Sequence, residues 1–278
     1  MSKHLLLPLA TAAALAVAAP ASADALLTPA PAGSSNLAYA AGWSAWSQPE
    51  GDVHRLVLRA PDGTVSTPAV PPFDAPVDPA IGTTSAKDFK KTTYVVFSRA
   101  GDIRRLDLAT GVESAFPGAS TTAYRETAPS LSGGTLAFVR RGGARNGVHV
   151  LSTSRGTLRR VSATTAREVA TNGTRVAYTV PSGLRIVRIS GDGRALRIGG
   201  GRLHSINLTR YHAVWLTEDG RLQRTDRFAG SGGSYALRVR DARRQVPGIV
   251  SIAVGRSTNT SRYLDAEGVK AADPTLLR

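Results

Sequence analysis

Glu126-Thr-Ala-Pro-Ser-Leu-Ser-Gly-Gly-Thr-Leu-Ala-Phe-Val-Arg-Arg141 continues through Gly147-Val-His-Val-Leu-Ser152 and Gly156-Thr-Leu-Arg-Arg-Val161. Within it, Leu136/Phe138 and Ala137/Val139 alternate, so they point to opposite faces of a strand. Glycine steps separate this run from its neighbours and supply the positive φ that tight hairpins need. The stretch therefore reads as consecutive antiparallel strands joined by short turns. No segment of the chain carries a sustained 3.6-residue apolar stripe, so little helix is expected.

The same unit recurs on both sides. A short β-rich run ending in an aromatic is followed by a glycine turn at Trp43-Ser-Ala-Trp46 with Gly51, and at Tyr94-Val-Val-Phe97 with Gly101. It recurs at Leu136-Ala-Phe138 with Gly147, Val176-Ala-Tyr178 with Gly183, Val214-Trp215 with Gly220, and Arg262-Tyr263 with Gly268. The turn glycines are 50, 46, 36, 37 and 48 residues apart, a propeller-blade spacing. A second turn follows at Asp62-Gly63, Gly111, Gly156 and Asp192-Gly193. Innermost strands precede the aromatic ones, as at Pro129-Ser-Leu131 and Ser205-Ile-Asn-Leu208. The fold class expected is all-β, a β-propeller of six four-stranded blades, with five or seven as alternatives. The sixth unit lacks an outer strand, and Ala25-Leu-Leu-Thr28 is the candidate to supply it and leave no open edge. Pro68 to Pro79 carries five prolines and cannot be a central strand. Ala229 to Ser234 is a Gly/Ser-rich excursion from the fifth unit.

The unit at 126–161 resembles the repeat of TolB-like (WD-repeat-like) β-propellers: an acidic residue, a Pro-containing inner strand, a small polar turn, then an apolar-Ala-aromatic strand. The unit from Glu168 through Val176-Ala-Tyr178 to Arg188-Ile189 is similar without the proline. The family's Ser-Pro-Asp-Gly turn is replaced here by Leu131-Ser-Gly-Gly134 and Thr171-Asn-Gly-Thr174. The resemblance implies an interaction module of the cell envelope.

The N-terminus reads as an export signal. Lys3 and His4 precede an apolar run from Leu5 to Ala19, and Ala21-Ser22-Ala23 has the small-x-small pattern of a cleavage site. The run is shorter than the about 20 residues that span a bilayer. Residues 1–23 are thus expected to be a cleaved signal peptide and 24–278 a single propeller domain. Localisation would be secreted, periplasmic or wall-associated, with no membrane span left after cleavage. The chain has no cysteine, which excludes thiol nucleophiles, cysteine zinc sites and disulfides. Its length suffices for a core without such staples.

The net charge is +15, carried by 30 Arg and only 5 Lys. An acidic polymer is a compatible partner, and nucleic acid is disfavoured by export. No Gly-x-Ser-x-Gly elbow, phosphate loop or His-Glu-x-x-His occurs. By alignment of the repeats, Asp78, Glu126, Glu168 and His204 enter innermost strands at one channel mouth, with Arg125 and Arg167 before two of them. Carboxylates and an imidazole around one cavity could hold calcium or a cationic group; as local ion pairs they would only tie blades together. No cofactor is required by any motif. The leading reading is a monomeric binding or scaffold propeller for a protein or glycan envelope component. The alternatives are a metal-dependent propeller enzyme of lactonase, lyase or glycosidase type, and an Arg-rich surface for polyanions.

Overall fold

A computed structural model describes residues 24–85, 91–191, 195–226, 228, 238–242, 245–255, 261–273 and 276. The strands form six four-stranded antiparallel sheets. After β1 (Ala25–Pro29), blade one contains β2 (Ser35–Ala40), β3 (Trp43–Glu50), β4 (Val53–Arg59) and β5 (Val65–Ser66). Blade two contains β6 (Ala80–Ser85), β7 (Lys91–Arg99), β8 (Asp102–Asp107) and β9 (Glu113–Ala115). Blade three is β10 (Arg125–Ser132), β11 (Thr135–Arg141), β12 (Gly147–Ser152) and β13 (Leu158–Ser162). Blade four is β14 (Val169–Thr171), β15 (Arg175–Val180), β16 (Gly183–Arg188) and β17 (Leu196–Gly199). Blade five is β18 (Leu203–Leu208), β19 (Ala213–Thr217), β20 (Leu222–Thr225) and β21 (Val239–Asp241). Blade six is β22 (Ser251–Val254), β23 (Ser261–Leu264) and β24 (Gly268–Ala271), completed by β1.

The sixfold expectation therefore holds, including its closure. β1 pairs antiparallel with β24, from Ala25 opposite Ala271 to Pro29 opposite Gly268. Gly268, at φ 141°, shows how tightly they meet: a Cβ there would lie 2.2 Å from the Thr28 carbonyl. Gly147 and Gly183 meet their own outer strands in the same way, at 2.0 Å from the Ser162 oxygen and 2.1 Å from the Ile198 oxygen. The N-terminal strand thus occupies the place that β13 and β17 fill in their blades. Asp24 secures it, accepting hydrogen bonds from the Tyr263 hydroxyl and the Asp273 amide at 2.7 Å each.

The core lies between the sheets, in six clusters, one at each contact of neighbouring blades. Strand alternation distributes the second strand between two of them. Trp46, Phe97, Phe138, Tyr178, Trp215 and Tyr263 are all buried and all pack against the preceding blade. The residues just before five of them (Ala45, Val96, Ala137, Ala177 and Val214) pack forward, against the next blade. The proline-rich segment before β6 forms no ladder strand; it is pinned by Val70, Phe73 and Val77, which enter the core. Among the described residues, the one helical turn is Gly143–Arg145. The Asp192-Gly193 turn, the 229–234 excursion and residues 1–23 lie outside the described residues.

Deleting residues 25–29 exposes the β24 edge and the Val269 and Leu264 side chains beneath it. The truncated protein is expected to melt at a lower temperature and to self-associate, as read by calorimetry and light scattering. An unchanged melting temperature would exclude β1 as the closing strand. Trp215→Ala, at a fully buried site, should cost about 3–5 kcal/mol in denaturant unfolding.

Candidate functional site

The innermost strands surround a central cavity of about 1510 Å³. Their register defines a ring of equivalent positions. The residues Ala38, Ala80, Ser130, Ala170, Asn207 and Ala253 pair with the second-strand residue that precedes each core aromatic. Two residues earlier stand Asn36, Asp78, Ala128, Glu168, Ser205 and Ser251. All but Ala128 line the cavity. Asn36, Ala128 and Ser205 hold φ of 56°, 50° and 51°, and a register shift accompanies each. The strand is bent there; in blade three residues 125–128 are off the channel wall, whereas His204 of blade five stays on it.

A hydrogen-bond relay links the ring from blade to blade. Glu168 Oε2 accepts the Ile206 N–H at 3.2 Å, Ser205 Oγ accepts that of Ile252 at 2.8 Å, and Ser251 Oγ accepts that of Leu37 at 2.9 Å. Each donor is the residue just after the next ring position. In two blades that residue is a proline, Pro79 or Pro129, which has no N–H to give. Asn36, facing Pro79, uses its amide instead and donates to the Val77 carbonyl at 2.9 Å. Asp78, facing Pro129, has only acceptors. It makes no hydrogen bond or ion pair with the described residues. Its carboxyl is left to the channel.

Electrostatics follow from this placement. Burial raises Asp78 to about 6. Burial, then the Asp78 charge, raise Glu168 to about 7, against the lowering effect of the Ile206 and Ser205 amides. Both carboxyls are thereby held above the ordinary carboxylate range, chiefly by burial. Arg167, exposed, and His204, half-buried, stand at the same mouth. Burial lowers the His204 pKa, which favours the neutral ring.

The structure brings together Asp78, Arg167, Glu168 and His204, and separates Glu126 and Arg125 from them. Glu126 is fully buried in the body of blade three, where its Oε1 accepts from Arg140 Nε at 2.9 Å and Thr121 Oγ1 at 3.0 Å. Arg125 lines a smaller rim cleft beside Gly101, Tyr124 and Arg141. The ring residue of this blade is Ala128; because β10 begins upstream of its bend, a repeat alignment that matches Glu126 to Glu168 is two positions out. Asn36, Ser205 and Ser251 escaped notice in the sequence, since their small polar types recur throughout the chain. The signal that could have found Asp78's isolation was Pro129. Among the described residues, no three His, Asp or Glu side chains converge as a metal-binding group.

No family model matches the sequence, and no curated protein matches it. Solved structures do share its architecture. A gluconolactonase from Xanthomonas campestris superposes with a TM-score of 0.59 at 14% identity, over 88% of this chain and 87% of that one. The propeller domain of Cps50 (Swd1) from Myceliophteria thermophila gives 0.56 at 9% identity, over 90% and 99%. TolB from Acinetobacter baumannii gives 0.53 at 14% identity; the match covers 83% of this chain but spans 64% of the TolB chain. The fold is that of a TolB-like, WD-repeat-like propeller. At these identities the likeness establishes architecture, and function has to come from the site.

The raised carboxyls set a pH dependence of stability. An acid whose folded pKa lies above its unfolded value binds protons more tightly when folded. Its contribution is full below the unfolded values near 4 and is lost as pH rises through 6 to 7. Asp78→Asn/Glu168→Gln should therefore be more stable than the parent at pH 8, by on the order of 2 kcal/mol. The difference should vanish at pH 4, as read by urea unfolding at both pH values.

Proposed function

We propose that this chain is an exported binding propeller, produced with a cleaved signal over residues 1–23, and that it holds a cationic group of a protein or glycan partner at the Asp78/Glu168 mouth. The observation that carries this reading is the Asp78 carboxyl. It faces the channel without an internal donor, and its charge repels that of Glu168, which lines the same cavity. A protonated amine or guanidinium entering the mouth would relieve that repulsion and replace the donor that Pro129 lacks. His204 and Arg167 would border the entering group and limit its charge and shape.

Binding is favoured over a metal-dependent reaction because Glu126, the third carboxylate expected at the mouth, is committed to Arg140. Calcium remains the cation to compare directly, since carboxylate oxygens suit it. Envelope or extracellular location follows from the proposed signal. Among the described residues no helix is long and apolar enough to cross a membrane.

Calorimetric titration of the mature protein with Lys-tipped and Arg-tipped peptides and with glucosamine oligomers, each beside its N-acetylated or citrulline counterpart, tests the proposal. Binding is expected for the charged member of at least one pair, with loss of at least about tenfold in affinity for Asp78→Asn. It should weaken below pH 6 as the carboxyls protonate. Affinity that ignores both the mutation and the charge would overturn the reading, and a calcium isotherm that Asp78→Asn removes would replace it with a metal site.

A further inference from the structure

The positive charge is not spread evenly round the ring. Residues 125–199, which make blades three and four, carry 13 Arg against Glu126, Glu168 and Asp192, a net +10 of the chain's +15. Residues 24–124, in blades one and two, carry 8 Lys and Arg against 10 acidic residues, a net −2. Residues 200–278, in blades five and six, carry 12 Arg and Lys270 against 7 acidic residues, a net +6, so blades three and four stand out by their lack of acidic residues.

Strand register shows where part of this charge points. In blade four, Val169, Tyr178, Arg185 and Arg197 stand opposite one another across β14 to β17. Tyr178 belongs to the cluster shared with blade three, so Arg185 and Arg197 lie on that same face, farther out. From the other wall, Arg159 is opposite Val150, which belongs to the same cluster. Arg159 crosses toward blade four, its Nη1 donating to the Ile189 carbonyl at 2.5 Å, and its guanidinium packs against Gly191. Three guanidinium groups thus face one outer groove.

In blades two and six the charge at the equivalent place is neutralised within the protein. Arg104 of β8, in the Phe97 row, pairs with Glu113 at 2.8 Å. Lys270 of β24, in the Tyr263 row, pairs with Asp265 at 2.9 Å and Glu267 at 2.7 Å. In blade five the Trp215 row has Gln223, whose amide donates to Asp241 at 3.0 Å. Arg185 instead faces Arg197, a like-charged cross-strand pair that works against the sheet. Neither has an ion-pair or hydrogen-bond partner among the described residues.

We propose that the outer groove between blades three and four binds a phosphate-bearing linear polyanion, with Arg159, Arg185 and Arg197 as its contacts. A guanidinium presents a fork of donors that matches phosphate oxygens, and an anion between Arg185 and Arg197 turns their repulsion into attraction. The charges stand on ladder strands of two facing blades rather than on protruding loops, an arrangement that suits a strand of polymer laid between the blades better than a flat lipid surface. This site is separate from the channel and does not depend on the cationic ligand proposed for it.

The test uses fluorescent inorganic polyphosphate titrated against the mature protein across a salt series. Two triple variants lose the same charge: Arg159→Gln/Arg185→Gln/Arg197→Gln in the groove, and Arg202→Gln/Arg221→Gln/Arg240→Gln, whose side chains already sit beside Glu218, Asp219 and Asp226. The groove variant is expected to lose at least about tenfold in affinity and to show a flatter salt dependence. The control should change by less than about twofold. Polyphosphate should raise the melting temperature of the parent and not of the groove variant, and Arg185→Gln alone should raise it without ligand. Equal losses in the two triples would reduce the effect to net charge and overturn the site. Absence of polyphosphate binding, or tighter binding of the parent to anionic phosphatidylglycerol vesicles, would overturn the assignment to a polymer.

Discussion

Everything in this fold depends on how each blade fills the wedge behind it. An aromatic side chain on the second strand packs backward, and in five blades a small or β-branched neighbour, one residue earlier, packs forward. Because strand side chains alternate, two adjacent residues serve two interfaces; five such pairs, with Trp46 meeting Ala253 and Leu264 at the sixth interface, close a ring. Fully burying one large apolar side chain contributes about 1.5–3 kcal/mol, so these contacts stabilise the ring without disulfides. β1 covers the β24 edge and ties the two ends of the described chain into one blade.

The same ring creates the channel and its chemistry. Innermost strands cannot pack against each other as the outer ones do, so polar groups there are satisfied by a side chain reaching across to the neighbouring blade. That relay runs through Glu168, Ser205 and Ser251, and it stops where the next blade offers proline. Asp78 is therefore a consequence of backbone chemistry in a different blade. The groove between blades three and four is the complementary case, in which strand pairing places like charges opposite one another and no described carboxylate answers them.

Architecture was legible in the sequence because it rests on local features. Trp43 to Trp46, Leu136 to Phe138 and the turn glycines announce strands and hairpins within a few residues, and their spacing counts the blades. The β1 closure was legible by subtraction, since the sixth unit lacked an outer strand. The site was legible only in part. Asp78 and Glu168 take ring positions and Arg167 and His204 line the same cavity, although Ser205, not His204, holds the ring position of blade five. Glu126 and Arg125 lie off it, because the Ala128 bend shifts β10 by two residues and sequence alignment cannot register a change of φ. The isolation of Asp78 depends on Pro129, about fifty residues away, and no local pattern links them.

The most direct measurement is a carbon-13 NMR titration of the side-chain carboxyls in the mature protein and in Pro129→Ala. The account predicts that Asp78 titrates near 6 and Glu168 near 7 in the parent. It also predicts that restoring an N–H at position 129 moves Asp78 downward while Glu168 follows only through the weaker shared charge. Both carboxyls titrating below 5 in the parent, or no response of Asp78 to Pro129→Ala, would contradict it.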